Sequence, residues 1–568
     1  MRRLALGFAF AALVVACEDP LTVDNPNDPN TNQVLSSAGD LETAISGTFR
    51  SIHATTVGGA NDNVDNQMKV LAFESYATVN NFGMNVRAPL PRTPILNEPG
   101  NNVQTGNNRD FNQLQVQART TANYIASFDR LQDASPDPIL GKDLGRTNAA
   151  RAFGFFNLGL AQGYTAMVYD QGAVVTPETP IVPAGDLVPY TDVMANALAM
   201  MDEAIAIANA SAAVEASFRI PTSWIPAADF PSGMSRTDFI RLVRSYKARL
   251  RAGVARTPAE RAAVDWAAVI ADAENGLPNG LVLTLTASGG WDNAWIANQY
   301  RYGGWHNMSN HFIGMADTSG AYETWIATKD GNSQSGGGGP FLIRTPDLRF
   351  PAGETRAEQN ANSPTALLAP PAGRQYFRNR LPGDDTPTPA HGDSWYDHAR
   401  FFGIFSTPDR VGSWPTMSIT ELDMLRAEGK FRTNTDIPGA LALINKTRTT
   451  SGLPALTATG TVPGGNACVP RVPISATATA CGDQFEAMKY EKRLETAITG
   501  YGQWYFDSRG WGDLPEFTAV HWPVPWQELD VRQLPVYNMG GTDKVCAAGQ
   551  TPATDGCQSA ARSTYGAW

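Results

Sequence analysis

The sequence predicts a mostly α-helical protein whose helices are interrupted by a long loop-rich α+β region. Three observations predict it. Apolar stripes at helical spacing recur toward both ends of the chain. Between about 278 and 416 no helical period is sustained, and the stretch holds the run Gly336 to Gly339, many prolines and many aromatics. The composition is the third observation. The 568 residues are 42% hydrophobic, ample for a large core, but only 17% charged, against a usual share of about 25%. With 52 glycines and 39 prolines, the surface is expected to be polar, sparsely charged and partly irregular. A net charge of −11 argues against a nucleic-acid partner, which needs a basic footprint.

The first element is an export signal. Arg2 and Arg3 precede an apolar run from Leu4 to Ala16, shorter than the roughly 20 residues that span a bilayer. The run ends Leu13-Val14-Val15-Ala16-Cys17, which resembles a bacterial lipobox and marks Cys17 for acylation. Each buried methylene of the acyl chains would add about 0.8 kcal/mol of membrane affinity. Residues 1–16 are thus read as signal peptide, and 17–36, rich in Asp, Asn and Pro, as the lipidated tether.

Helical patterns fill 37–277. Leu41, Ile45, Phe49 and Ile52 make one stripe, and Phe111, Leu114, Ala118, Ala122, Ile125 and Phe128 another. Phe153, Phe156, Leu160 and Tyr164 follow, then Met194, Leu198, Met201, Ile205 and Ala208. Ser235 to Asp238 has the form of a capping box before Phe239, Leu242, Tyr246 and Leu250. The basic residues from Arg241 to Arg251 read as a solvated or paired helix face. After the variable region 278–416, helices resume over 417–537. Ser418 to Glu421 forms a second capping-box pattern, Asp436 is placed to cap a helix, and another helix covers Phe485 to Ile498. The final segment is 538–568. Helices that come in pairs and cannot bury their faces alone suggest helical-repeat stacking.

With Cys17 carrying lipid, Cys468, Cys481, Cys546 and Cys557 remain, an even number that suits a compartment outside the cytoplasm. The simplest connectivity is Cys468–Cys481 and Cys546–Cys557, although four cysteines allow three. No metal site is expected, because no C-x-x-C occurs and no nearby His has ligand spacing.

Six segments, in order, resemble the SusD/RagB family of outer-membrane nutrient-binding lipoproteins. They are the lipobox with Asn25-Pro26-Asn27; Arg151 to Leu158; the helix ending Ala427-Glu428; and Ala440 to Leu456 with Asn445, Arg448 and Gly452. Glu491 to Glu495 with Trp504 to Gly512 makes the fifth, and His521 to Pro525 the last. Thr496, Thr499 and Gln503 depart from the family pattern. The resemblance implies a SusD-like, TPR-like helical-repeat scaffold and a cell-surface location on the outer membrane. It further implies an oligosaccharide or other large nutrient as ligand, handed to a SusC-like TonB-dependent porin. Asn445, Arg448, Arg493, Glu495, Asp507 and Arg509 sit among apolar residues, where ionic groups need partners, and are read as structural pairs joining helices.

Sugar recognition calls for flat aromatic faces and oriented polar groups. The densest such cluster is Trp291, Trp295, Tyr300, Arg301, Tyr302, Trp305 and His306, followed by Tyr322 and Trp325. A second candidate is Tyr76, Asn80, Asn81 and Phe82, near Asn85 and Arg87. A third is Trp395, with Tyr396, Asp393 and Asp397 nearby. No catalytic residue and no cofactor is expected, since no G-x-S-x-G, Walker A, HExxH or dinucleotide fingerprint occurs. A surface glycan hydrolase, or a peptide-binding lipoprotein of the same fold, is the alternative; a hydrolase would need two positioned carboxylates, and none is singled out.

Overall fold

The computed structural model describes residues 35–57, 63–77, 85–90, 92–101, 105–180, 185–289, 291, 306–328, 339–363, 374–385, 392–401, 404, 411–541 and 565. Cys17, Asn80, Asn81, Phe82, Trp295, Tyr300, Arg301, Tyr302, Trp305, Cys546 and Cys557 lie outside the described residues.

The protein is mostly α-helical with short two-stranded pairings. The stripe from Leu41 to Ile52 is one buried face shared by two helices, α1 (Ala38–Ser46) and α2 (Thr48–Thr56), because Gly47 ends the first and opens the second. α3 (Val64–Leu71) and strand β1 (Ser75–Ala77) follow. Then come the long helices α4 (Thr105–Asp133) and α5 (Leu144–Val168). α5 is buried on nearly every side, with α4 and α6 (Tyr190–Ala210) packed against it. Gly159 permits the close approach, since a Cβ there would stand 2.6 Å from the Ala197 carbonyl oxygen. Between α5 and α6, β2 (Gln171–Ala173) pairs with β3 (Leu187–Pro189). Among the described residues, α6 and its extension, Tyr190–Val214, is long and apolar enough to cross a membrane. Its stripe Val193, Ala197, Met201, Ala204 and Ala208 is nevertheless buried inside the protein.

β4 (Arg219–Ile220) and β5 (Met234–Ser235) lead into α7 (Arg236–Gly253). The predicted capping box opens α7: the Ser235 hydroxyl accepts from the Asp238 amide, and the Asp238 carboxylate accepts from the Ser235 amide. The basic face of α7 is paired, partly in the interior. Arg249 meets Glu421 through two bonds of 2.7 Å, and Arg244 and Arg251 share Asp272. α8 (Pro258–Ala262) and α9 (Trp266–Glu274) complete the first half.

The chain then leaves the helical stack through β6 (Gly280–Leu285) and returns through β10 (Gly412–Ser418), and these two strands pair antiparallel from Gly280↔Ser418 to Leu285↔Gly412. Within the excursion lie β7 (His306–Met308), α10 (Ala321–Thr328), β8 (Phe377–Asn379) and β9 (Tyr396–His398). The stack resumes with α11 (Ile419–Thr433), which packs directly on α9, and α12 (Ile437–Thr450). Ser418 caps α11, but the expected reciprocal bond from Glu421 is absent because Arg249 takes that carboxylate. Asp436 caps α12 through the Gly439 amide.

β11 (Arg471–Pro473) and β12 (Thr479–Cys481) form a hairpin closed by the Cys468–Cys481 disulfide. α13 (Gln484–Thr496) stops short of the predicted Ile498, which has a left-handed φ of 63°. α14 (Gln503–Trp511) and α15 (Trp526–Val531) follow. One apolar core runs from Leu41 to Tyr565, and a smaller one joins α11, α12 and α13 around Met424, Ile444 and Met488.

Candidate functional site

The excursion brings β1 of the first half next to strands of the second. β1 pairs with β7, with Tyr76 opposite Asn307 and Ala77 opposite His306. A bridge from Ser309 to Asp393 extends the pairing toward β9, which pairs with β8. The chain leaves β1 at Ala77 and enters β7 at His306, so both exits lie at the same end of the pair.

Tyr76 is half-buried on this surface. Its ring lies against Gly392, where φ is +94° and a Cβ would stand 2.9 Å from the His311 ring. Only glycine fits that turn without strain. Burial and the Asp393 carboxylate push the Tyr76 phenol up to about 12, against the opposing charge of Arg92. Behind it Asn307 donates its amide to Asp393, and Asn310 donates to the Asp393 carbonyl at 2.8 Å. Arg380 donates to the Asn307 side-chain oxygen at 2.6 Å and to the Ser394 carbonyl at 3.1 Å.

Trp395, also half-buried, continues the surface. The Arg356 guanidinium stacks 4.4 Å from its ring, and both of its terminal nitrogens bind Asp385 at 2.6 Å. Such a two-point grip fixes the orientation of the guanidinium. Asp397 is buried against Arg378 at 2.8 Å, and burial lifts its carboxyl to about 6 even with Arg380 and Arg378 beside it. The carboxylates here are therefore each engaged by an arginine or an amide. The arrangement presents the half-buried Tyr76 and Trp395 rings and the Arg356 guanidinium, held in place by the buried Asn307, Asn310 and Arg380, which suits binding and orientation.

The structure buries three of the predicted ligand residues. Trp291 is 3% exposed and packs on Phe49 and His53 of α2. Tyr322 is fully buried, its hydroxyl donating to the His311 carbonyl at 2.6 Å, and Trp325 stacks beside it at 3% exposure. Together with Phe312, Ile313, Phe350 and Phe377, the Tyr322 and Trp325 rings form the apolar interior of the excursion, while Trp291 packs on α2. Tyr396 is likewise internal, bonded to Gln359. Sequence reasoning missed Asn307, Arg356, Arg380 and Gly392. Only the Thr355–Glu358 capping box around Arg356 offered a local signal, and it marks a helix start rather than a site.

The residues of the ordered sequence segments meet elsewhere, in the interior. Glu428 binds Arg261 at 2.9 and 2.6 Å, and Arg261 also reaches Asp507 at 3.1 Å. Lys492 binds Asp507 at 2.8 Å, and Trp511 donates to Glu428 at 3.0 Å. Arg349 sits among Asp347, Glu491 and Glu495. Thr447 donates to Glu491 at 3.0 Å. Asn445 closes the turn after α12 by exchanging bonds with Leu456. Arg509 caps the Val520 and Gly253 carbonyls. Trp522 accepts from Asp170 and donates to Val168, tying its segment to the end of α5.

No protein-family model matches the chain, and no curated protein matches it. Among solved structures it is similar to a SusD superfamily protein from Bacteroides thetaiotaomicron VPI-5482, at 11% identity and TM-score 0.49, over 83% of this chain and 89% of that one. It is similar to a SusD-like carbohydrate binding protein from Bacteroides fragilis NCTC 9343, at 12% identity and TM-score 0.49, over 84% and 87%. A SusD-like carbohydrate binding protein from Bacteroides vulgatus ATCC 8482 is similar at 13% identity and TM-score 0.44, over 84% and 83%. The solved structures this chain is similar to therefore include SusD superfamily proteins, two of them described as carbohydrate binding.

Proposed function

We propose that this chain is a SusD/RagB-like surface lipoprotein that captures an oligosaccharide, or another large nutrient, and passes it to a SusC-like TonB-dependent outer-membrane transporter. The observation that carries the proposal is the ordered set of sequence segments, of which the third and fifth bond in the interior through Glu428 and Trp511, and the fourth and fifth through Thr447 and Glu491. Glu428, Asn445, Glu491 and Asp507 each make a side-chain contact that explains why that residue type stands there. A shared scaffold does not name a ligand, so the ligand class is read from the surface itself. Tyr76 and Trp395, backed by Asn307, Arg380 and Arg356, form the proposed ligand face, and Asn80, Asn81, Phe82, Trp295, Tyr300, Arg301, Tyr302 and Trp305 are proposed as further ligand residues on their chemistry in the sequence. Acylation at Cys17 would hold the protein at the outer membrane, with its sparsely charged surface open to uncharged sugars. Capture is non-covalent and no bond of the ligand is broken.

The test is a retention screen of the purified protein against polysaccharides and peptides. A glycan should be retained without turnover, and Tyr76→Ala, Trp395→Ala or Trp305→Ala should weaken it about tenfold, the loss expected for one stacked ring. Hydrolysis of the retained glycan would replace the binder by a hydrolase, and retention of peptides alone would change the ligand class. Cys17→Ser should abolish incorporation of labelled fatty acid.

A further inference from the structure

A groove of about 490 Å³ lies between α2 and α4, within the range of about 300–1,000 Å³ typical of small-ligand sites. Its α4 wall is the stripe Arg109, Asn112, Gln113, Val116 and Gln117, spaced so that all five share one side of the helix. The stripe is unusual in chemistry. A water-facing helix side ordinarily carries Lys, Arg, Glu or Asp, which support one another four residues apart. Residues 111–118 contain none of these, and Asn112 is a poor helix former that local propensity does not favour.

The polar groups lining the groove are oriented. On the α2 wall, the Ser51 hydroxyl donates to the Gly47 carbonyl and the Thr55 hydroxyl to the Ser51 carbonyl, which leaves both oxygens free to accept. Gln117 donates its amide to Thr121, and Arg109 is held by the Thr55 carbonyl at 2.8 Å and by Asp110 at 3.3 Å. Asn112 and Gln113 are exposed, and each amide offers donors and an acceptor. Val116, 55% exposed, supplies an apolar contact. Among the described residues that line the groove, Arg109 is the one cation and is matched by its neighbouring carboxylate Asp110, so this lining is close to neutral.

We propose that this groove is a second binding site, for a neutral hydroxyl-rich chain, an uncharged oligosaccharide. Each sugar hydroxyl both donates and accepts, which matches a wall of amides and acceptor hydroxyls, and the C–H faces of the ring match Val116. An acidic or basic ligand would bring a charge that nothing in the groove balances. The proposal rests on the carbohydrate-binding reading of the protein and assigns it a second contact surface, on the helical scaffold rather than on the strands of the excursion.

The experiment is affinity electrophoresis and calorimetry of the full chain with neutral glucan, xylan and mannan oligosaccharides and with acidic oligogalacturonate. Wild type is compared with Asn112→Ala/Gln113→Ala, Ala54→Trp, and Tyr76→Ala. The groove residues changed are exposed, so thermal unfolding should not move, and Ala54→Trp fills the space without removing a polar group. The proposal expects at least a fivefold loss of affinity for the neutral oligosaccharide in both groove variants. Unchanged affinity in both, while Tyr76→Ala binds more weakly, overturns the groove and leaves the carbohydrate-binding reading standing. Retention of oligogalacturonate alone also overturns the groove only. Retention of no oligosaccharide by wild type overturns both.

Discussion

Glu428 illustrates how a single residue can join distant parts of the chain. It is buried between Arg261, Arg432 and Trp511. Burial opposes its charge, but Arg261, Arg432 and Lys492 outweigh that and hold the carboxyl down at about 2. Its contribution is present above its ordinary value near 4.5 and is lost as pH falls toward 2. Glu428→Gln removes the carboxylate charge that Arg261 grips with two nitrogens and that Arg432 shares, so urea unfolding at pH 7 should show a loss of about 3 kcal/mol. Glu74 behaves in the opposite sense. It shares Lys69 with Asp65, lying 3.8 Å from the ammonium while Asp65 lies at 2.9 Å, and burial raises its carboxyl to about 7. Between about pH 4.5 and 7 the folded protein keeps a proton that the unfolded chain has released, so this group makes stability fall as pH rises, by at most about 3 kcal/mol. Glu74→Gln retains an acceptor for the Ile498 amide and should remove that dependence. Unfolding curves at pH 5 and pH 8 that shift in parallel for wild type and variant would contradict it.

Two elements depend on local devices. α7 starts where Ser235 and Asp238 satisfy each other's amides, so Ser235→Ala should lower stability by about 1 kcal/mol, read from the denaturation midpoint. Ser418 shows the limit of the same motif, because tertiary pairing with Arg249 outcompetes the return bond from Glu421. The β11–β12 hairpin carries few apolar contacts beyond Val472 and the buried Cys468, and the Cys468–Cys481 bond closes a loop with a sequence separation of 13. Chain-entropy reasoning assigns such a loop about 3 kcal/mol. Reductant should therefore destabilise wild type by about that amount relative to its effect on Cys468→Ser/Cys481→Ser.

At the scale of the whole molecule, the excursion is tied to the helical stack by charge as well as by strands. Arg349 of the excursion sits with Glu491 and Glu495 of α13, and Arg374 and Tyr376 also bind Glu495. Removing the excursion would take Arg349, Arg374 and Tyr376 away from the buried carboxylates of Glu491 and Glu495. The two parts are thus expected to unfold together, so that tryptophan fluorescence and far-UV circular dichroism trace one coincident transition in urea. Separate midpoints would mean that the excursion opens alone.

The sequence by itself determined the helical scaffold. Stripes such as Phe111 to Phe128 and Phe153 to Tyr164 are buried along their length, because helical periodicity is a local property that survives without knowledge of partners. It also marked Asn445, Arg448 and Asp507 as structural, since ionic or amide groups in apolar surroundings require partners. Tertiary structure decided which aromatics are available. Trp291, Tyr322 and Trp325 looked the same in sequence as Trp395, yet Tyr322 and Trp325 fill the core of a loop-rich region, Trp291 packs on α2, and Trp395 stays half-buried under Arg356. Aromatic composition carries no direction in irregular chain, where no period of 2 or 3.6 assigns a face. The network behind Tyr76 joins residues 76, 307, 380 and 393, and the groove joins α2 to α4. Such sites exist only once long-range packing has brought separate segments together.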